Sequence, residues 1–293
     1  MSAVQCGFIG LGNIGKPMCA NIARKASSQH LALSVFDLDP APLAEMQALG
    51  ARVVESAEEL ARNCSLIALC VRDDADVEQL LYGEAGIFAV AAPETVIAIH
   101  STVTRDGVVR WAADAAERGL ALVDAPITGG AAGAADATLC IMAGGSKAAV
   151  SRCQAMFACT SKTVVYAGEA GQATVLKLAN NLMNYAAFSA ISEAVQLVKC
   201  AGADLDALHQ VGQANGVITA MMKQFIDGRD GVRAACSDED MRAVFGPFAA
   251  LAEKDLDHAL SLAAQLNVSL PLTERVRRDI DDVFMAISRS DVE

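Results

Sequence analysis

Aromatic residues make up only 4% of the chain, with a single Trp, and its four histidines are scattered at His30, His100, His209 and His258. No H-x-H or H-E-x-x-H spacing occurs among them, so a histidine metal centre has no ligand set to build on. C-x-x-C pairs are also missing, although the chain has nine cysteines. An odd number without such pairs is not a disulfide framework, and Cys6, Cys70 and Cys140 lie in apolar runs that suit reduced core thiols. No run reaches the roughly 18 continuous apolar residues of a membrane span. At the N-terminus no basic segment leads into an apolar one, as a secretory signal would require. Lys and Arg are too few for a nucleic-acid surface: the formal net charge is −12. A small anionic substrate remains compatible, since a few local cations can hold it. The expectation is a cytoplasmic protein with no metal, no nucleic acid and no membrane partner.

Hydrophobic residues make up 53% of the 293, much of it Ala. That suggests closely packed helices over a buried sheet, in a chain long enough for two domains. The organising stretch is the opening one, Cys6-Gly7-Phe8-Ile9-Gly10-Leu11-Gly12-Asn13-Ile14-Gly15. An apolar run from Val4 to Ile9 predicts a buried strand, three glycines follow as G-x-G-x-x-G, and Met18 to Ala26 predicts a helix. Gly10 allows the tight turn, Gly12 the approach of a pyrophosphate, and Gly15 the close packing of helix on strand. The phosphates would sit on unpaired N–H groups at the helix start. A second strand, Ala32 to Phe36, ends at Asp37, about twenty residues beyond the last glycine, where a dinucleotide site needs an acceptor for the ribose hydroxyls. No Arg follows closely to offset that charge, which predicts NAD as the cofactor.

Strands and helices then alternate. Helices are predicted at Ala41–Leu49, Ala57–Asn63, Asp76–Tyr82 and Asp106–Arg118, and strands at 53–54, 66–71, 95–99, 121–123, 138–143 and 164–165. This is an α/β pattern, a doubly wound parallel sheet with right-handed crossovers. From about Gly171 no strands are convincing. Thr174–Ala201 predicts one long helix buried on most sides, followed by a helix at Asp204–Gln213. Asp227–Asp230 predicts a Gly-rich polar turn, and amphipathic helices are predicted at Phe248–Leu266 and Leu272–Ser288. The predicted domains are therefore 1–167 for the dinucleotide and 168–293, all helical. The apolar surface of the long helix around Asn184–Ala194 further predicts a homo-oligomer formed through the second domain.

Ligands of open α/β sheets bind outside the carboxyl ends of the strands. Ser101-Thr102 and Thr128-Gly129-Gly130 stand at such ends; each reads equally as a site or as an ordinary cap or loop. Lys177 lies near the start of a helix almost free of cations, with Asn181 one turn on. A buried lysine is costly unless it is paired or working, and a lysine that snorkels to the surface is the alternative.

These residues resemble the β-hydroxyacid dehydrogenases, typified by 3-hydroxyisobutyrate dehydrogenase and tartronate semialdehyde reductase, with a first domain similar to that of 6-phosphogluconate dehydrogenase. The opening stretch 8–15 is similar to the family's cofactor fingerprint, and Asp124-Ala125-Pro126-Ile127-Thr128-Gly129-Gly130 to its substrate motif. Gly171 through Lys177 to Asn180-Asn181 resembles its catalytic helix, and Lys254-Asp255-Leu256 a late cofactor-contacting motif. Four motifs in the family's order span nearly the whole chain. The resemblance implies that Lys177 is the acid/base and that Thr128, Gly129, Gly130 and Asn181, with Ser101 beside them, hold the substrate. It places Gly10, Leu11, Gly12, Asn13, Ile14, Gly15, Asp37, Thr102 and Lys254 on the cofactor, and it implies a homodimer or homotetramer. Four positions depart from the pattern: Ile14 stands for Met or Gln, Thr128 for Ser, Arg72 for Pro, and His100 for an acidic or apolar residue. The segment 227–247, with Arg229, Arg233 and Arg242, fits no subfamily. The implied activity is hydride transfer between NAD and a small β-hydroxy acid or semialdehyde. An imine or other carbonyl reductase on the same scaffold, or a non-catalytic dinucleotide-binding protein, is the alternative.

Overall fold

The computed structural model describes residues 3–287, and the chain divides into two compact units between Lys177 and Leu178. The first unit opens with β1 (Val4–Ile9), α1 (Gly15–Lys25), β2 (Leu31–Phe36), α2 (Leu43–Ala48), β3 (Arg52–Val53) and α3 (Ala57–Asn63). It continues with β4 (Leu66–Leu69), α4 (Asp74–Tyr82), α5 (Ile87–Val90), β5 (Val96–Ile99), α6 (Arg105–Glu117) and β6 (Ala121–Asp124). Then come β7 (Ile127–Thr128), α7 (Gly130–Ala135), β8 (Leu139–Gly144), α8 (Lys147–Thr160) and β9 (Ser161–Gly168).

Among the described residues these strands form one sheet in the order β3-β2-β1-β4-β5-β6-β8-β7, with β9 also beside β8. The strands from β3 to β6 are parallel, as the alternation of strand and helix predicts, while β8 runs antiparallel to β6 and β7. The unalternating runs of β4 and β5 are buried on both faces. Phe8, Leu66, Ala68, Val96, Ala98 and Val123 pack on one side with α1 and α8. Their neighbours Ile9, Ile67, Leu69, Ile97, Ile99 and Leu122 pack on the other with Leu60 of α3 and Trp111 of α6. The strand period of two thus fills two separate cores from single runs. Side chains cap several helices: Ser56, Asp73, Thr104 and Ser146 each accept a backbone N–H from the first turn that follows.

The second unit is helical. Into it runs α9 (Gln172–Cys200), followed by α10 (Leu205–Ala214), α11 (Ala220–Ala235), α12 (Asp238–Gln265) and α13 (Pro271–Met285). The long helix is less enclosed than its composition implies: Tyr185, Ile191 and Val195 are buried, but Met183 and Leu197 are exposed.

The expected turn at Asp227–Asp230 is corrected: these residues lie inside α11. Glycine in a helix interior costs about 1 kcal/mol relative to Ala, and Gly228 and Gly231 bear that cost because the rest of the helix face is anchored. Ile226 and Arg229 are buried, and Phe225 stacks on Phe188 with ring centroids 4.3 Å apart. The Arg229 guanidinium donates to Ser192 Oγ and to the Val283 carbonyl, each over 2.7 Å, and pairs with Asp230. The helix expected from Phe248 begins earlier, at Asp238, where Ser237 and Asp240 form a capping box. Pro247 is accommodated inside it. The helix expected to reach Ser288 ends at Met285, and Ser288 lies outside the described residues.

Candidate active site

Phe36, Ile9, Leu69, Ile99 and Asp124 are successive partners across β2, β1, β4, β5 and β6. The residue after each one, Asp37, Gly10, Cys70, His100 and Ala125, therefore leaves the sheet at the same carboxyl edge. Three of the sequence-predicted stretches start from this row: the glycine loop, Asp37, and Ser101-Thr102.

The three glycines of the loop do different work. Gly10 has φ +99, and a Cβ there would lie 2.3 Å from the Cys70 carbonyl oxygen. A Cβ on Gly15 would lie 1.9 Å from the Gly10 carbonyl oxygen. Both are demanded by the turn itself. Gly12 is exposed, and a Cβ on it would meet no protein atom within 4 Å. The fold around it does not require its bareness, whereas a closely approaching dinucleotide pyrophosphate would. Asp37 adds a second fit. Its carboxylate accepts the Leu11 N–H on one oxygen and the Asp39 N–H on the other, at 2.7 Å, so an acidic group is fixed beside the loop. Asn13 is exposed and Ile14 half-buried on the same loop.

At the end of β5 the Ser101 hydroxyl is bound on both sides by Val71: it donates to the carbonyl over 2.8 Å and accepts the N–H over 2.9 Å. Thr102, next to it, is half-buried. Arg72 pairs with Asp76 in the first turn of α4, over 2.7 Å. His100 is buried between Phe8 and Phe157, its Nδ1 2.8 Å from the Ala125 carbonyl, and burial pulls its pKa down to about 4. It is a neutral core group.

Asp124 opens the expected substrate motif, but no local pattern assigns it a role. It is fully buried, and its oxygens accept the Gly171 N–H at 3.0 Å, the Thr174 N–H at 2.8 Å and the Thr174 hydroxyl at 3.1 Å. Burial pushes its carboxyl above the ordinary range, and these donors pull it back. The same residue leads through Ala125-Pro126 into Thr128, half-buried, and the exposed pair Gly129-Gly130, both at positive φ. Lys177, half-buried, follows Thr174 by three residues on α9.

In the second unit Asn181 is buried and donates its amide to Asp255 over 2.7 Å; the Tyr185 hydroxyl donates to the same oxygen over 3.0 Å. Lys254 lies 3.5 Å from the other Asp255 oxygen. Asn181 and Lys254, far apart in sequence, are thus joined through one buried carboxylate. Among the described residues no helix is long and apolar enough to cross a membrane, and no group of three or more His, Cys, Asp or Glu could hold a metal ion.

Comparison with known proteins gives this arrangement a family. Residues 5–168 match the NAD-binding domain of 6-phosphogluconate dehydrogenase, and residues 171–285 the NAD-binding domain of NADP-dependent 3-hydroxyisobutyrate dehydrogenase. The 2-(hydroxymethyl)glutarate dehydrogenase of Eubacterium barkeri is 31% identical over 276 residues, 92% of this chain and 86% of that one. The 2-hydroxy-3-oxopropionate reductase of Escherichia coli is 32% identical over 273 residues, 92% of this chain and 88% of that one. Among solved structures, Mycobacterium tuberculosis 3-hydroxyisobutyrate dehydrogenase with L-serine matches with a TM-score of 0.80 at 24% identity, over 97% of this chain and 98% of that one. That last likeness speaks for the fold. A dinucleotide fingerprint at the carboxyl edge of a parallel sheet, a helical second unit and the matches over both lead to one conclusion: the chain belongs to the β-hydroxyacid dehydrogenases, oxidoreductases that transfer a hydride between a nicotinamide cofactor and a small β-hydroxy acid or its semialdehyde.

Proposed function

We propose that this chain interconverts a small β-hydroxy acid and its semialdehyde with NAD(H) as preferred cofactor and Lys177 as general acid/base. The observation that carries the reading is the Asp124 carboxylate, which ties the start of the Lys177 helix to the strand that leads into Thr128-Gly129-Gly130. A bound nicotinamide supplies the hydride acceptor for the carbinol carbon, or the donor in reverse. Lys177 as the amine takes the hydroxyl proton, and as the ammonium returns it to the carbonyl oxygen of the semialdehyde. Such acid–base help is worth about a hundred- to ten-thousand-fold in rate when the proton lies within hydrogen-bond reach. Thr128 and the N–H groups of Gly129 and Gly130 hold the substrate carboxylate, and Asn181 orients the hydroxyl. Ser101 holds the loop after β4 in shape through Val71. Residues 10–15 and Asp37 would hold the cofactor's pyrophosphate and ribose, and Thr102 and Lys254 would also touch the cofactor.

The relatives' names supply a substrate panel: 3-hydroxyisobutyrate, L-serine, 2-(hydroxymethyl)glutarate and 2-hydroxy-3-oxopropionate. Reduction of NAD or oxidation of NADH across that panel tests the reading; no turnover of any member or close homologue would refute it. The protein works in the cytoplasm as a homodimer or homotetramer. Its nine free thiols support the location. Exposed Met183, Leu197, Val244, Phe248 and Leu251 in the helical unit support the assembly. A sedimentation mass of one chain at micromolar concentration would refute the second point.

A further inference from the structure

We propose that Asp124 is a positioning residue for the proton transfer, fixing the turn of α9 that carries Lys177 against the substrate loop that Asp124 itself begins. The inference rests on Lys177 as the acid/base. A helix N-terminus is ordinarily capped by a side chain just before it in sequence. Here the acceptor comes from 47 residues upstream of Gly171, on another element. One carboxylate takes three donors from the helix start, the N–H groups of Gly171 and Thr174 and the Thr174 hydroxyl. That geometry resists both sliding and rotation of the first turn, and Lys177 lies one turn beyond Thr174.

The neighbouring strand leaves room for this arrangement. Gly144 of β8 is the partner of Asp124 in the sheet, and a Cβ on it would lie 2.4 Å from Asp124 Oδ1. A side chain is therefore excluded where it would displace the carboxylate. Geometry of this kind matters to rate because a misplacement of about 1 Å can lower turnover about a hundredfold. A local Ser or Thr cap could stabilise the helix equally well, but it would not link the helix to the substrate loop.

The test uses the full chain and the hydroxy acid that turns over fastest in the panel. Thr174→Val removes only the hydroxyl donor and should lower kcat about tenfold, with NAD affinity unchanged within about twofold. Thr174→Ser keeps the donor and should recover turnover. Asp124→Asn replaces one acceptor oxygen by an amide and should lower kcat about a hundredfold, again with NAD affinity kept. If Asp124→Asn does not fold, the Val and Ser pair at Thr174 decides. Lower melting temperatures with unchanged kcat per folded molecule in Thr174→Val would overturn the proposal and leave Asp124 a plain cap. Lys177→Ala, measured alongside, separates the two readings. Lost turnover there with unchanged kcat in the Thr174 variants refutes only the positioning role. Retained turnover in Lys177→Ala refutes the acid/base reading itself.

Discussion

The side-chain amide of Asn181 donates to the Asp255 carboxylate over 2.7 Å, with both groups buried. A carboxylate only accepts, so the amide nitrogen must face it, and the orientation of Asn181 is settled by that partner. Tyr185 donates to the same oxygen, and burial beside Asp255 pushes its phenol far up, so it stays a donor.

Asn181→Asp should therefore destabilise the helical unit, because it sets a second carboxylate against Asp255. Leaving a buried group unpaired costs about 1–3 kcal/mol, and here the two like charges would add to it. Thermal melts of wild type and variant measure this. Asn181→Ala should affect substrate KM more than Lys177→Ala does and reduce kcat less.

Gly12 and Gly15 should behave differently when changed to Ala. A methyl on Gly12 meets no protein atom, so the fold should keep its melting temperature while NAD affinity falls about tenfold or more by exclusion of the pyrophosphate. A methyl on Gly15 meets the Gly10 carbonyl, so both stability and affinity should fall. Melting and NAD titration on the two variants check the contrast; equal melting temperatures would contradict it.

Much of this site was legible in the sequence because local rules dictate it. The glycine spacing, the apolar runs of β4 and β5 and the acid ending β2 each follow from chain geometry over a few residues. The partners of Asp124 and Asp255 were not legible: Gly171 and Asn181 are brought to them by long-range packing that no periodicity records. Ser101 read as a strand-end hydroxyl, and its engagement with Val71 depends on how the adjacent strand ends. The helix in place of the expected turn at Asp227–Asp230 has a related cause. Two glycines signal a turn locally, while the anchoring of Arg229 on Ser192 and Val283 comes from other helices.

Asp37 should make the enzyme favour NAD(H) over NADP(H). Its carboxylate stands beside the loop, and a like charge opposite a 2′-phosphate costs several kcal/mol at a close contact. The kcat/KM ratio for NAD over NADP should exceed about tenfold, a difference of about 1.4 kcal/mol. Asp37→Asn, which retains an acceptor for Leu11, should narrow it. A wild-type preference for NADP at physiological salt would contradict the assignment.

His100 should make the fold acid-sensitive. Its folded pKa is depressed by burial from 6.5 to about 4, so its contribution to stability is present above 6.5 and is lost as pH falls from there toward 4. The full loss is about 3 kcal/mol, taking about 1.4 kcal/mol per pH unit. Asp124 acts with the opposite sign, because its raised pKa removes stability as pH rises. The measured quantity is therefore the difference between wild type and His100→Gln in denaturant unfolding across pH 4 to 7. Stability should vary less with pH in the variant over that window, so the difference should change across it, and parallel curves would contradict this.

Turnover of Lys177→Ala, normalised to folded protein and with NAD affinity measured in parallel, tests the account most directly. The lysine stands on a helix whose start is fixed by Asp124, while most of the proposed cofactor residues lie on the glycine loop and just after β2. Turnover of the best hydroxy acid should therefore fall by about a hundred- to ten-thousand-fold with NAD binding nearly intact. Near-normal turnover per folded molecule, with only a lowered melting temperature, would make Lys177 a structural side chain and contradict the mechanism.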